Sequence, residues 1–177
     1  MKKIIEDQER PDWDRYFITQ CYLVSARSID QSTHAGAVIV TKDNSVVSTG
    51  YNGPPRGIEF TEDDARHLAP EKYKWMEHAE RNAIYNAARH GMSIDGCRLY
   101  VNFCPCIDCS RAMVQSGISE VIVHEEGQKA FLDSRDGVSN WDESFATTKE
   151  MMGDRLRLWS GKLYQPSGFF SGSTYYL

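Results

Sequence analysis

Arg98-Leu99-Tyr100-Val101-Asn102-Phe103-Cys104-Pro105-Cys106-Ile107-Asp108-Cys109 is the stretch on which the reading of this chain turns. Its first four residues are apolar enough for a strand, and residues 106–116 have a helical pattern that stops before Gly117. The changeover falls on Pro105 and on two cysteines in Cys-x-x-Cys spacing. At the first turn of a helix that spacing lets both sulfurs face one ion, and the positive end of the helix dipole favours thiolates. Alone, the pair reads as half of a structural zinc knuckle or as a redox pair sooner than as a catalytic site.

Upstream, His78-Ala79-Glu80 lies near the start of another helical pattern, residues 73–89, with Gly91 as its stop. An isolated His-Ala-Glu is usually solvated helix surface. Joined to the cysteines it becomes specific: His78, Cys106 and Cys109 are one imidazole and two thiolates, a suitable set for Zn2+. Three protein ligands leave a fourth position for water, which separates a catalytic zinc from a closed structural one. Glu80 then reaches that water without ligating the ion. His-x-Glu followed by Pro-Cys-x-x-Cys is the signature of zinc nucleobase deaminases. Of the other cysteines, Cys21 and Cys97 read as buried thiols, and Cys104, before Pro105, as pointing away from the ligand pair.

The flanking sequence supplies an α/β scaffold. Residues 13–29 carry apolar positions at Trp13, Tyr16, Phe17, Cys21 and Val24, one helical face with Asp12 as cap. Residues 35–40 and 46–51 read as strands of a hairpin across Lys42-Asp43-Asn44-Ser45. Residues 52–70, with Gly53, Pro54, Pro55 and Gly57, read as a long functional loop or short helix. Residues 121–123 form a fourth strand, 143–155 a further helix, and 156–177 an aromatic tail punctuated by Gly and Ser. Strands alternating with helices after a hairpin predict a mixed sheet with helices on its faces.

At 177 residues the chain is expected to be a single domain, with a core over about 12–125 and a C-terminal helix and tail over 126–177. Hydrophobic residues at 41% and charged ones at 25% are those of an ordinary globular domain. Residues 1–7 turn acidic before any apolar run develops, and no stretch approaches membrane-spanning length, so a cytoplasmic protein without membrane contact is expected. Clustered rather than evenly spread cysteines agree with a reducing compartment. A net charge of −5 argues against a nucleic-acid strand as substrate, since binding one takes a basic groove.

With these residues in view, the chain resembles the deoxycytidylate (dCMP) deaminase family of the cytidine deaminase superfamily over roughly 16–124. Besides the zinc motif, the resemblance rests on Ser25-Ala26-Arg27-Ser28, Gly36-Ala37-Val38-Ile39-Val40, Gly50-Tyr51-Asn52-Gly53-Pro54-Pro55-Arg56-Gly57, Pro70-Glu71-Lys72-Tyr73 and Gln115-Ser116-Gly117-Ile118. It implies a three-layer α/β/α fold with a mixed five-stranded sheet, and a homo-oligomer, commonly a hexamer. It implies zinc on His78, Cys106 and Cys109, proton transfer by Glu80, a sugar contact from Asn52 and a pyrimidine O2 contact from the Ala79 N–H. It also implies activation by dCTP and inhibition by dTTP, helped by Mg2+, at a regulatory site near Gly50, Tyr51, Gly53 and Arg89. Val123 stands where the family has an aromatic residue, which leaves one wall of the nucleotide pocket unassigned.

The expected reaction is hydrolytic deamination of dCMP to dUMP, feeding thymidylate synthesis. A 5′-phosphate needs a cation, for which Arg27 is the first choice and Arg56 the second. Competing readings are a deaminase acting on a base in RNA or single-stranded DNA, one acting on a free (deoxy)cytidine nucleoside, and a non-catalytic zinc module. Glu80 speaks against the last, because a structural site has no use for a carboxylate beside an open ligand position.

Overall fold

The structure is a computed structural model that describes residues 10–134, 141–164, 167–170 and 173–176. The expectation drawn from residues 1–7 lies outside them, as does part of the aromatic tail. Gly36–Val40 (β1) and Val46–Tyr51 (β2) form the expected antiparallel hairpin, with Asn44 at φ 70° in its turn. β1 also pairs antiparallel with Arg98–Val101 (β3), which runs parallel to Glu120–His124 (β4), and β4 runs parallel to Leu156–Trp159 (β5). The result is a mixed five-stranded sheet in the order β2-β1-β3-β4-β5.

Period-two alternation decides which face each strand residue serves. Val38, Val40, Tyr100 and Ile122 pack against Phe17, Ile18 and Cys21 of the helix Trp13–Ser25 (α1). Ala37, Ile39, Leu99, Val101, Val121 and Val123 turn to the opposite side. There they meet Ala79, Ala83 and Ala87 of Ala79–Arg89 (α3), Met113 of Ile107–Gln115 (α4) and Phe145 of Trp141–Met152 (α6). Each fully buried Val, Ile or Phe is worth roughly 1.5–3 kcal/mol, so both faces must be covered, and the layers are α/β/α.

Three readings of the first half of the chain are corrected. The first helix ends at Ser25 rather than near residue 29. Its start is the expected one, with Asp12 Oδ1 accepting from Arg15 N at 2.7 Å, but Trp13 and Tyr16 are 46% and 41% exposed while Ile18 takes the buried place. The helix expected over 73–89 is two, Lys72–Trp75 (α2) and α3, because Glu77 leaves helical geometry to pair with Gly53: Gly53 N donates to Glu77 O at 3.0 Å and Glu77 N to Gly53 O at 2.8 Å. α3 stops as expected at Gly91, φ +65°, where Gly91 N and Met92 N donate to Ala88 O and Ala87 O.

Beyond β4 the differences are larger. Glu125–Asp133 (α5) is a helix that the sequence reading left blank, and α6 begins at Trp141. Residues 156–159, read as irregular tail, supply the fifth strand, and Ser167–Phe170 (β6) pairs with Ser173–Tyr176 (β7) as a separate hairpin. Among the described residues no helix is long and apolar enough to cross a membrane.

Candidate metal centre and active-site pocket

His78 and Cys106 occupy equivalent places, each the extended residue that caps a helix N-terminus, α3 and α4 respectively. Neither side chain makes the cap hydrogen bond, so both remain available to each other. Cys109, one turn into α4, is fully buried. His78 Nδ1 lies 3.4 Å from Cys106 Sγ and 3.5 Å from Cys109 Sγ, and the three ligand atoms lie within 4.8 Å of one another. Tetrahedral zinc, with Zn–S near 2.3 Å and Zn–N near 2.05 Å, calls for an N···S separation of about 3.6 Å. The donor set and its spacing therefore fit a zinc ion.

Electrostatics shift the two cysteines in opposite directions. The Cys109 thiol donates to the Cys106 sulfur, which with His78 nearby holds Cys106 down at about 3, while Cys109 is raised by the same bond and by burial. Burial opposes protonation of His78, but its bond to Cys106 and the charge of Glu80 outweigh it, and His78 is raised. Burial also pushes the Glu80 carboxyl up, with His78 partly opposing. Glu80 is the second residue of α3, only 4% exposed, and lines the same pocket as His78 and Cys106. A buried carboxyl that binds a proton more readily than usual is suited to carrying one.

Asn52 also lines this pocket, and its amide is largely spoken for: Nδ2 donates to Thr33 O at 2.8 Å and to Asp30 Oδ2 at 3.4 Å, and Oδ1 accepts from Ala35 N at 2.8 Å. Ala79 is the first residue of α3 and fully buried; its N–H has no carbonyl within the helix to donate to. Arg27 is exposed beyond the end of α1 and is not among the lining residues, and Arg56 donates to Asn86 Oδ1 at 2.8 Å. Tyr51, Gly53, Arg56 and Arg89 come together in a second cleft beside α3. Gly50 does not join them; it lies between β2 and α3, where a Cβ would stand 2.2 Å from Ala79 O.

Sequence reasoning missed several lining residues. Lys72 and Asp30 form a buried ion pair in the wall, and Tyr73 adjoins Lys72. Phe103, Phe131 and Trp141 line the pocket; Phe131 stacks on Phe103 with ring centroids 4.5 Å apart, and Trp141 meets Phe131 edge-on at 5.4 Å. These rings bring aromatic surface to a pocket that Val123 leaves without its family ring, and two of them come from helices with no motif to reveal them. Cys104 is buried in the lining, its thiol pushed up to about 12 by burial and by Glu80, and it stands outside the ligand group.

Residues 11–125 match the family described as the cytidine and deoxycytidylate deaminase zinc-binding region. The deoxycytidylate deaminase of Mus musculus is 38% identical over 118 residues, 63% of this chain and 64% of that protein, so this chain spans less than two thirds of that relative's length. An uncharacterized deaminase in the luxG 3′ region of Aliivibrio fischeri is 37% identical over 140 residues, 78% of this chain and 86% of its own. The dCMP deaminase of cyanophage S-TIM5, solved in complex with dCMP and dUMP, shares the fold at 23% identity with a TM-score of 0.58, over 86% of this chain and 99% of its own.

Proposed function

Because the chain belongs to the cytidine and deoxycytidylate deaminase zinc-binding family, we propose that it hydrolyses the 4-amino group of dCMP, giving dUMP and ammonia. The observation that carries this reading is Glu80, buried in one pocket with His78 and Cys106, the first two members of a zinc-suited trio. His78, Cys106 and Cys109 would hold the zinc, which would supply Lewis-acid activation of a water molecule at neutral pH. Glu80 accepts the proton of that water as its oxygen attacks C4 of the cytosine. The same carboxyl delivers the proton to N3, then takes the hydroxyl proton and passes it to the departing amine. Water is consumed and ammonia released, with Glu80 returned to its starting form.

The Ala79 N–H is suited to the pyrimidine O2, and the aromatic surface of Phe131 and Trp141 to one wall of the base pocket. With both Asn52 amide hydrogens engaged, Asn52 can meet the sugar only through Oδ1, accepting from a hydroxyl. Arg27, and after it Arg56, remain the proposed phosphate cations. One observation favours a second substrate, the free (deoxy)cytidine nucleoside: the only Lys or Arg among the described lining residues is Lys72, already paired with Asp30.

The cleft of Tyr51, Gly53 and Arg89 is proposed to take a regulatory dCTP or dTTP with Mg2+, in a single-domain homo-oligomer, a hexamer. None of the five cysteines forms a disulfide, and the cytoplasm is the proposed compartment. Ammonia release from cytidine, deoxycytidine, dCMP, CMP and dCTP, each with and without dCTP or dTTP, tests these statements together. Preference for deoxycytidine over dCMP selects the nucleoside reading, and activity rising with oligonucleotide length rejects both. In Arg27→Ala an unchanged ratio of efficiencies on dCMP and deoxycytidine removes Arg27 from phosphate binding.

A further inference from the structure

A helix N-terminus leaves backbone N–H groups without partners, and the capping residue's side chain ordinarily satisfies one of them. In α4 the capping residue is Cys106, whose thiol faces His78 instead. A partner for one of those N–H groups comes from α6, which lies outside residues 11–125 of the family match and also supplies a donor to the carbonyl before the cap. Ser144 Oγ accepts from Ile107 N at 3.3 Å. Thr148 Oγ1 donates to Pro105 O at 3.1 Å and lies 3.1 Å from Ser110 Oγ, which is itself 2.9 Å from Cys106 O. Thr148 and Ser110 are both fully buried, so no solvent replaces these bonds. Pro105, Cys106 and Ile107 are thus each held through the backbone by a hydroxyl, two of the three from α6.

We propose that Thr148 and Ser144 are positioning residues for the metal centre, fixing the Pro105–Cys106–Ile107 backbone so that both cysteine sulfurs face His78. This rests on the reading of His78, Cys106 and Cys109 as a zinc site. Neither residue touches the ion; they act through the backbone of its ligands, as outer-shell groups do, and the site is then incomplete without the C-terminal helix.

The test uses the full chain loaded with zinc and a chromogenic zinc chelator as competitor, comparing wild type with Thr148→Val, Thr148→Ser and Ser144→Ala. Thr148→Val keeps the shape but loses the donor, and it should weaken zinc retention by about 10-fold or more, the usual scale for outer-shell changes. Thr148→Ser restores the hydroxyl and should hold zinc like the wild type. The gap between the melting temperatures of zinc-loaded and metal-free protein should narrow in Thr148→Val, which an effect on packing alone would not produce. Zinc held equally well by Thr148→Val and wild type overturns the proposal. A wild-type chain that takes up no zinc overturns the zinc reading beneath it. If Thr148→Val does not fold, Ser144→Ala removes the acceptor for Ile107 N, and wild-type zinc retention there overturns the proposal as well.

Discussion

Lys72 Nζ lies 2.9 and 2.8 Å from the two carboxylate oxygens of Asp30, with Lys72 7% and Asp30 3% exposed. The pair fastens α2 to the loop that precedes β1, and Asp30 Oδ1 also accepts from the backbone of Ser32 and Thr33 at 2.8 and 3.1 Å. Removing one partner strands a buried charge, which costs about 3–5 kcal/mol, whereas removing both leaves no charge to strand. Lys72→Met should therefore be strongly destabilised in urea denaturation, and Asp30→Asn with Lys72→Met should recover much of the loss. Additive single and double variants would rule out the coupling.

The same pair sets an acid limit. Burial alone would raise the Asp30 carboxyl, but the hydrogen bonds and charge of Lys72 outweigh it and hold Asp30 below the ordinary value. A group depressed in the folded state stabilises fully above its unfolded pKa, about 3.9, and loses that contribution as pH falls through the folded value. Stability curves of wild type should bend down below about pH 4, and Asp30→Asn should lack that part of the bend.

Glu80→Gln should lower turnover by at least about 100-fold, because one carboxyl serves every proton transfer. Metal analysis should find its zinc content unchanged, since Glu80 is outside the ligand group. Near-normal turnover would remove Glu80 from the chemistry.

Gly50 and Gly53 should respond differently to alanine. At Gly50 a Cβ would stand 2.2 Å from Ala79 O and 2.3 Å from Ala83 N, so α3 must shift and carry His78 and Glu80 with it. Overpacking of this kind costs about 1–3 kcal/mol or more, and melting temperature and zinc retention should both fall. At Gly53 the nearest atom is 3.8 Å away, on Tyr51, so Gly53→Ala should fold and melt like wild type. A changed dCTP response in Gly53→Ala then reports on the second cleft rather than on stability.

Trp141→Leu should raise KM for dCMP by about tenfold if its ring flanks the base, since aromatic contact with a base is worth roughly 1–3 kcal/mol. Steady-state kinetics check this, and an unchanged KM would confine Trp141 to packing with Phe131 and Phe145.

The candidate zinc ligands were legible because each half of the motif is local. His78 with Glu80 and Cys106 with Cys109 are fixed by their spacing, and α4 begins where the pattern required. The central strands were legible as β-branched apolar runs such as Val38, Ile39 and Val40, and the structure turns alternate residues of that run to opposite faces. The break between α2 and α3 had no such signal. Met76-Glu77-His78 holds no Gly or Pro, and what interrupts the helix is backbone pairing of Glu77 with Gly53, far back in the chain.

Residue types and their short-range order therefore determined the candidate donor set, the carboxyl proposed to carry protons, the hairpin and the mixed sheet, since these depend on spacings within a turn or a strand. Tertiary structure alone decided that Leu156–Trp159 is a strand, because it takes its hydrogen bonds from the free side of β4. It also decided that Lys72 meets Asp30, that Phe131 and Trp141 wall the pocket, and that Thr148 reaches Pro105. Each of these joins groups remote in sequence, and a contact of that kind exists only once the layers have closed around a shared core.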